Sequence, residues 1–97
     1  MADGHTLTPR LSASPNPSRG VTEIRYVLAK AGSVRGAVYD VAGRQVRALI
    51  EEVAKAGEGK VIWDGLDAAG NPVPSGAYFV RLEGAGPLVP IKILVRR

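Results

Sequence analysis

The sequence contains no cysteine and a single histidine, and these two shortages limit the chemistry that the chain supports. Without cysteine there is no disulfide, no thiolate nucleophile and no sulfur ligand for a metal ion. The histidine, His5, lies in a polar N-terminal stretch, so one copy of the chain cannot assemble a histidine-based triad or zinc cluster. None of the serines lies in a nucleophile-elbow pattern. We therefore expect a non-catalytic protein without a cofactor.

Long apolar runs and clustered charges are also missing. No apolar stretch approaches the roughly 18 residues of a membrane span, and the N-terminus lacks the basic and apolar regions of a signal peptide. The net charge of +4 comes from 13 Lys and Arg against 9 Asp and Glu, with only Arg96 and Arg97 adjacent. Nucleic-acid binders usually cluster their cations. We predict a solvated surface and no nucleic-acid partner, and expect any export signal to lie elsewhere in a longer protein.

What the chain does contain is short alternating segments separated by Gly, Pro and Asp turns. Alternation with a period of two indicates half-buried strands. The predicted strands span residues 11–14, 21–28, 34–40, 45–52, 60–64, 78–83 and 88–95. No amphipathic helix of ten or more residues is present, although residues 47–52 also fit a helical turn. The pattern predicts one all-β antiparallel sandwich over residues 11–97, preceded by a flexible lead-in or cloning remnant over residues 1–10.

Three local features refine this prediction. Gly36 occupies a core-facing position of its strand, which predicts a β-bulge or a closely approaching neighbour. Gly43 supplies the positive φ of a hairpin turn within Asp40–Arg44. Residues 55–59 are rich in glycine and read as a flexible connection.

The polar corner after the tryptophan strand is the most informative segment. Trp63 alternates inward with Val61, so we interpret it as the core anchor of the sandwich, and Phe79 is the better candidate for an outward aromatic. The corner carries three oxygen-bearing side chains, those of Asp64, Asp67 and Asn71. They are weak candidates for Ca²⁺ ligands, because their spacing departs from the EF-hand loop. The simpler interpretation is Asx-turns that accept hydrogen bonds from the backbone.

Taken in order, several segments resemble the type IX secretion C-terminal sorting domain (type A) and the related immunoglobulin-like domain of flagellar hook-capping proteins. The matching segments cover nearly all of residues 11–97: Ser14-Pro15-Asn16-Pro17, Ile24-Arg25-Tyr26-Val27-Leu28, residues 38–46, Trp63-Asp64-Gly65, Asp67-Ala68-Ala69-Gly70, residues 75–82, and Lys92-Ile93-Leu94-Val95-Arg96-Arg97. One departure is Gly36, where relatives usually carry an apolar side chain.

The resemblance implies a seven-stranded immunoglobulin-like sandwich attached to an exported bacterial protein and located at the cell surface or outside the cell. In the sorting role, outer-membrane translocation machinery recognises the domain. The residues that carry over to recognition are Lys92, Leu94, Val95, Arg96 and Arg97. Because the matching motif reaches the last residues of the sequence, we expect the sorting branch rather than the flagellar one.

The last strand therefore carries the functional hypothesis. A receptor could recognise the last strand by adding a strand of its own to the open edge, while acidic groups of the receptor bind the two arginines. An ordinary closing strand with a charged tail explains the same alternation. Two other classes stay open: a structural assembly module that packs on neighbouring domains, as in hook capping, and an accessory module that binds glycan or Ca²⁺.

Overall fold

A computed structural model describes residues 8–84 and 88–97 of the chain, which form seven β-strands. The strands are β1 (Arg10–Ser14), β2 (Thr22–Leu28), β3 (Gly32–Tyr39), β4 (Gln45–Ala54), β5 (Gly57–Trp63), β6 (Gly76–Glu83) and β7 (Ile91–Val95). No helix of these residues is long and apolar enough to cross a membrane. The predicted all-β class is confirmed.

The strands build two antiparallel sheets that pack into a sandwich. One sheet has three strands in the order β1-β2-β5, and the other has four in the order β4-β3-β6-β7. The register places Ile24 of β2 opposite Val61 of β5, and Val38 of β3 opposite Val80 of β6. Cross-strand partners share a face, so the alternation in the sequence becomes one continuous apolar layer on each sheet.

All seven predicted strands are present, with boundaries that differ by up to three residues: β5 begins three residues before its predicted start and β7 three residues after. Residues 45–54 form a strand throughout, which confirms the predicted strand over residues 45–52 and excludes the alternative of a helical turn over residues 47–52. The predicted flexible connection at residues 55–59 is wrong for residues 57–59, because β5 already begins at Gly57 and Gly59 pairs with Tyr26, so only residues 55 and 56 connect β4 to β5. The Tyr26 ring lies directly over Gly59, so a Cβ at position 59 would collide with it. Arg10 pairs with Val27, so the first strand includes the last residue of the predicted lead-in.

The core divides into two adjoining clusters. The larger contains Ile24, Val38, Trp63, Val73, Tyr78, Val80, Ile93 and Val95, and the smaller contains Tyr26, Leu28, Val34 and Leu82. Trp63 is completely buried, and its ring meets the Tyr78 ring edge-on at 5.6 Å between centroids. Its indole Nε1 donates a 3.0 Å hydrogen bond to the Leu66 carbonyl, so the polar atom of this large side chain is satisfied. The predicted role of Trp63 as core anchor is confirmed.

Gly36 is explained by crowding from both neighbouring strands. It lies between Ile50 on β4 and Leu82 on β6. A Cβ at this position would lie 2.8 Å from Ile50 Cγ2 and closer still to Leu82 Cδ1. The register of β4 also shifts beside Gly36 and again before Tyr39. The sequence prediction of a bulge or a close approach is confirmed, since both occur.

The two ends of the sandwich differ in their connections. We call one the loop end, formed by residues 15–21, 40–44, 64–75 and 96–97, and the other the turn end, formed by residues 29–31, 55–56, 84 and 88–90. Backbone and side-chain hydrogen bonds tie the segments of the loop end to each other. The candidate site lies beside this end, where β7 finishes.

Candidate interaction site on the last strand

Strand β7 presents two different faces. Ile93 and Val95 point into the core and are nearly or fully buried, with Val95 only 3% exposed. Lys92 and Leu94 point outward, where 41% of Leu94 is exposed. Of the five predicted recognition residues, Val95 is therefore a core residue, and Lys92, Leu94, Arg96 and Arg97 are exposed.

The outer edge of β7 is occupied rather than open. The Asn16 side chain donates a 2.8 Å hydrogen bond to the Lys92 carbonyl and accepts one of 3.0 Å from the Leu94 N–H. Ser18 continues the pairing in a parallel bridge: its N–H donates to the Leu94 carbonyl and its carbonyl accepts from the Arg96 N–H, both at 2.7 Å. Strand addition needs unpaired backbone groups. The expected open edge is therefore wrong for this segment of β7.

Arg97 is a structural clamp at the loop end. Its guanidinium donates to the Gly65 carbonyl at 2.8 Å, to the Val73 carbonyl, and to the Arg19 carbonyl at 3.5 Å. Its backbone N–H donates to Ser75 Oγ at 2.8 Å. One side chain thus binds two separate connections, residues 15–21 and residues 64–75, and its five donors suit it to this task. The two adjacent arginines consequently have different environments, because Arg96 makes no side-chain hydrogen bond among the described residues.

The face beside β7 is aromatic and basic. The sheet register aligns Tyr39, Phe79 and Lys92 in one row on the outer side of the four-stranded sheet. Phe79 and Tyr39 are half-buried, and the Arg81 guanidinium lies 5.7 Å from the centre of the Tyr39 ring. Phe79 points outward as expected, but its neighbours cover part of it.

The corner after β5 is built from Asx-turns. Asp64 Oδ1 accepts the Leu66 N–H at 3.0 Å, and Asp67 Oδ1 accepts the N–H groups of Ala69 and Asn71 at 2.9 and 3.0 Å. These bonds confirm the simpler interpretation for Asp64 and Asp67. Asp64 Oδ1 also accepts a 3.0 Å hydrogen bond from Arg47 Nη1. A cation bound here would compete with that guanidinium.

The hairpin between β3 and β4 repeats the geometry of this corner. Asp40 Oδ1 accepts the N–H groups of Ala42 and Arg44 at 2.9 and 3.0 Å, just as Asp67 does two and four residues along. The glycines at the fourth position, Gly43 and Gly70, have φ of 82° and 87°. Arg44 also pairs with Asp40 Oδ2 at 3.1 Å. The Arg44 N–H contributes most to holding the pKa of Asp40 below its ordinary value, and the Ala42 N–H and the Arg44 charge add to it.

The suggested calcium ligands are not brought together as a cluster of acids. Across residues 8–84 and 88–97, no three His, Cys, Asp or Glu side chains lie close enough together to hold a metal ion. One carboxylate oxygen of Asp64 and one of Asp67 already accept hydrogen bonds from backbone N–H groups. Calcium binding by Asp64, Asp67 and Asn71 stays a prediction that nothing here tests. His5 lies outside the described residues.

Sequence reasoning missed the role of Asn16 and Ser18. The segment Ser14-Pro15-Asn16-Pro17 is one of those that carry the family resemblance, and the resemblance implies no contact between it and the last strand. Ser18 is 1% exposed, and its hydroxyl accepts the Gly20 N–H at 2.8 Å. The signal available in the sequence was Asn16, a polar residue between two prolines. Because proline lacks a backbone N–H, this segment cannot continue a strand ladder.

Two antiparallel sheets packed face to face, with a buried tryptophan anchoring the core, define an immunoglobulin-like β-sandwich. The family model described as the FlgD Ig-like domain matches residues 17–87. This chain belongs to that family. No curated protein sequence matches it.

Solved structures with this fold come from two bacterial systems. Dimeric latent PorU from Porphyromonas gingivalis has a TM-score of 0.71 and 20% identity, covering 98% of this chain and 10% of PorU. PorZ from the same organism, a surface component of the type-IX secretion system, has a TM-score of 0.55 and 23% identity, covering 90% of this chain and 11% of PorZ. FlgD from Xanthomonas campestris, of the flagellar hook cap, has a TM-score of 0.58 and 28% identity, covering 92% of this chain and 64% of FlgD. The chain therefore corresponds to about a tenth of PorU and PorZ and about two thirds of FlgD.

Proposed function

We propose that this domain is a non-catalytic sorting and surface-attachment domain of a bacterial exported protein, recognised by type IX secretion machinery. The observation that carries the proposal is that the inward and outward residues of β7 have different roles. Its inward residues and Arg97 hold the strand in the fold, while Lys92, Leu94 and Arg96 face outward next to an aromatic surface. The likeness to PorU over 98% of this chain supports the same reading.

A structural assembly module is the second candidate, and a specific observation favours it. The family to which the chain belongs is named for FlgD, and the FlgD of X. campestris is associated with hook capping and flagellar assembly. In that role the outward face of the sandwich would pack against neighbouring protein domains. An accessory module for glycan or Ca²⁺ has less support, because Trp63 is buried and the Asp64 and Asp67 carboxylates bind backbone.

The sorting proposal is tested with a fluorescent reporter that carries a signal peptide, fused to this chain and expressed in a bacterium with a type IX system. Deleting the last residues is a poor test, because Val95 is in the core and Arg97 clamps the loop end. The test variant instead combines three exposed changes on β7: Lys92→Ala, Leu94→Ser and Arg96→Ala.

A matched control removes the same chemistry from the other sheet. Arg10→Ala, Arg25→Ala and Ile62→Ser delete two cations and one exposed aliphatic group, since Ile62 is 51% exposed. We expect the unmodified domain and the control to deliver the reporter to the surface or medium, and the β7 variant to leave it in the periplasm. Periplasmic retention of the unmodified fusion, with the domain folded, would refute the sorting proposal and favour assembly.

A further inference from the structure

The outward side of β6 and β7 forms a continuous surface, which we call the basic face. It consists of Tyr39, Ala77, Phe79, Arg81, Lys92, Leu94 and Arg96. The register sets Ala77 beside Leu94 and Phe79 beside Lys92, so an apolar pair lies next to a pair of one aromatic and one cationic side chain.

The charge on this face is unbalanced. Arg81 has one acidic neighbour, Glu83, at 4.0 Å, which is the outer limit of an ion pair. Lys92 and Arg96 form no ion pair within residues 8–84 and 88–97. The nearest acid on the adjoining hairpin, Asp40, is already held by Arg44 and by the backbone of its own turn. The face therefore presents three cations against one carboxylate, and its complement is an acidic surface.

The aromatic side chains favour a protein as the occupant over a nucleic acid. Proteins that bind single-stranded nucleic acid stack its bases on the open faces of aromatic side chains. Here Arg81 covers one face of the Tyr39 ring and Phe79 is half-buried. What stays accessible is the aliphatic surface of Leu94 between Lys92 and Arg96, which suits aliphatic and carboxylate side chains of a protein.

The manner of docking follows from the occupied edge of β7. Asn16 and Ser18 already bond the backbone groups from the Lys92 carbonyl to the Arg96 N–H. An incoming strand would have to break these bonds, whereas a partner lying on the face meets side chains only. We infer that an acidic, aliphatic segment of a partner protein docks flat on the basic face and leaves the edge of β7 closed. This inference rests on the proposed function, since it specifies how the same strand is recognised.

The test uses a defined probe with the isotope-labelled chain. The probe is a ten-residue peptide of alternating Glu and Leu, compared with one of alternating Lys and Leu and with a ten-residue single-stranded oligothymidylate. We expect the acidic peptide to give saturable amide shifts in NMR spectra at Phe79, Lys92 and Leu94. Affinity should fall as salt rises. The double variant Lys92→Glu, Arg96→Glu should weaken it at least about tenfold, whereas Arg10→Glu, Arg25→Glu should change it less than about twofold.

Hydrogen exchange separates docking on the face from addition at the edge. The Leu94 and Arg96 amides donate to Asn16 and Ser18, so face docking keeps them protected while edge addition by displacement exposes Ser18. Shifts centred elsewhere, tighter binding of the oligothymidylate, or loss of protection at Ser18 would each overturn the inference. If the peptide does not bind but the reporter is delivered, face docking fails and sorting stands. If the peptide binds the face but the reporter is retained, sorting fails and the surface stands.

Discussion

The loop end and the turn end of the sandwich are closed by different means. At the loop end, Arg97 fastens residues 15–21 to residues 64–75, the Asp40 and Asp67 carboxylates each close their own turn, and the buried Trp63 bonds the Leu66 carbonyl. At the turn end, β4 and β5 are joined through Lys55 and Ala56 alone, and the smaller core cluster lies beneath. Long connections cost more conformational entropy to order than short ones, so they need specific polar ties. The end that carries the candidate site is therefore also the end that depends on particular side chains.

The largest expected difference between the ends is in their core anchors. Trp63→Ala should reduce the free energy of unfolding by about 3–5 kcal/mol, because it empties the larger cluster and leaves the Leu66 carbonyl without its indole partner. Leu28→Ala, in the smaller cluster, should cost about 2–3 kcal/mol. Urea unfolding followed by circular dichroism measures both, since Trp63 is the only tryptophan available for fluorescence. Equal losses would show that the two ends are consolidated to the same degree.

The two adjacent arginines provide the sharpest matched pair. Arg97→Ala removes donors from the Gly65 and Val73 carbonyls and should lower the free energy of unfolding by about 2 kcal/mol. Arg96→Ala should stay within about 0.5 kcal/mol of the unmodified domain, because surface substitutions away from such contacts have small effects. The same urea titration compares them. A larger effect at Arg96 than at Arg97 would contradict the clamp.

A smaller effect is expected at the corner turn. Asp67→Ala deletes the acceptor of the Ala69 and Asn71 N–H groups and should cost about 1 kcal/mol. Asp67→Asn keeps an amide oxygen in the same place and should recover most of the loss. Failure of the asparagine variant to do better than alanine would show that the charge, rather than the acceptor, holds this turn.

The smallest expected effect is a pH dependence in the matching hairpin turn. The folded protein holds the pKa of Asp40 below its ordinary value, chiefly through the Arg44 N–H. The folded state therefore binds this proton less readily than the unfolded one, so the stabilisation is present above about pH 4 and is lost as pH falls through the depressed pKa. Asp40→Asn should flatten the acid limb of stability against pH. An unchanged limb would mean that other carboxylates account for the whole acid dependence.

Predicting this fold from sequence succeeded where the information was local. Alternation located both ends of β2, β3 and β6 to within two residues, and Gly43 predicted its hairpin. It failed at residues 57–59, which belong to β5, because Gly59 makes room for the Tyr26 ring. It also failed at the edge of β7, because the residues that bond to this edge lie far from β7 in the sequence.

The sequence by itself determined that the chain is an all-β sandwich anchored by Trp63, with Asx-turns at its corner, because each depends on alternation or on contacts within about four residues. Only the tertiary structure decided which last-strand residues are free to meet a partner. Arg96 and Arg97 are identical in type, adjacent in sequence and both exposed, yet only the Arg97 guanidinium bonds carbonyl groups of the described residues, among them those of Gly65 and Val73. Asn16 accepts a hydrogen bond from the backbone N–H of Leu94, which lies 78 residues further along the chain, and so closes the edge of β7. Contacts of that separation are created by the packing of two sheets, and no local pattern encodes them.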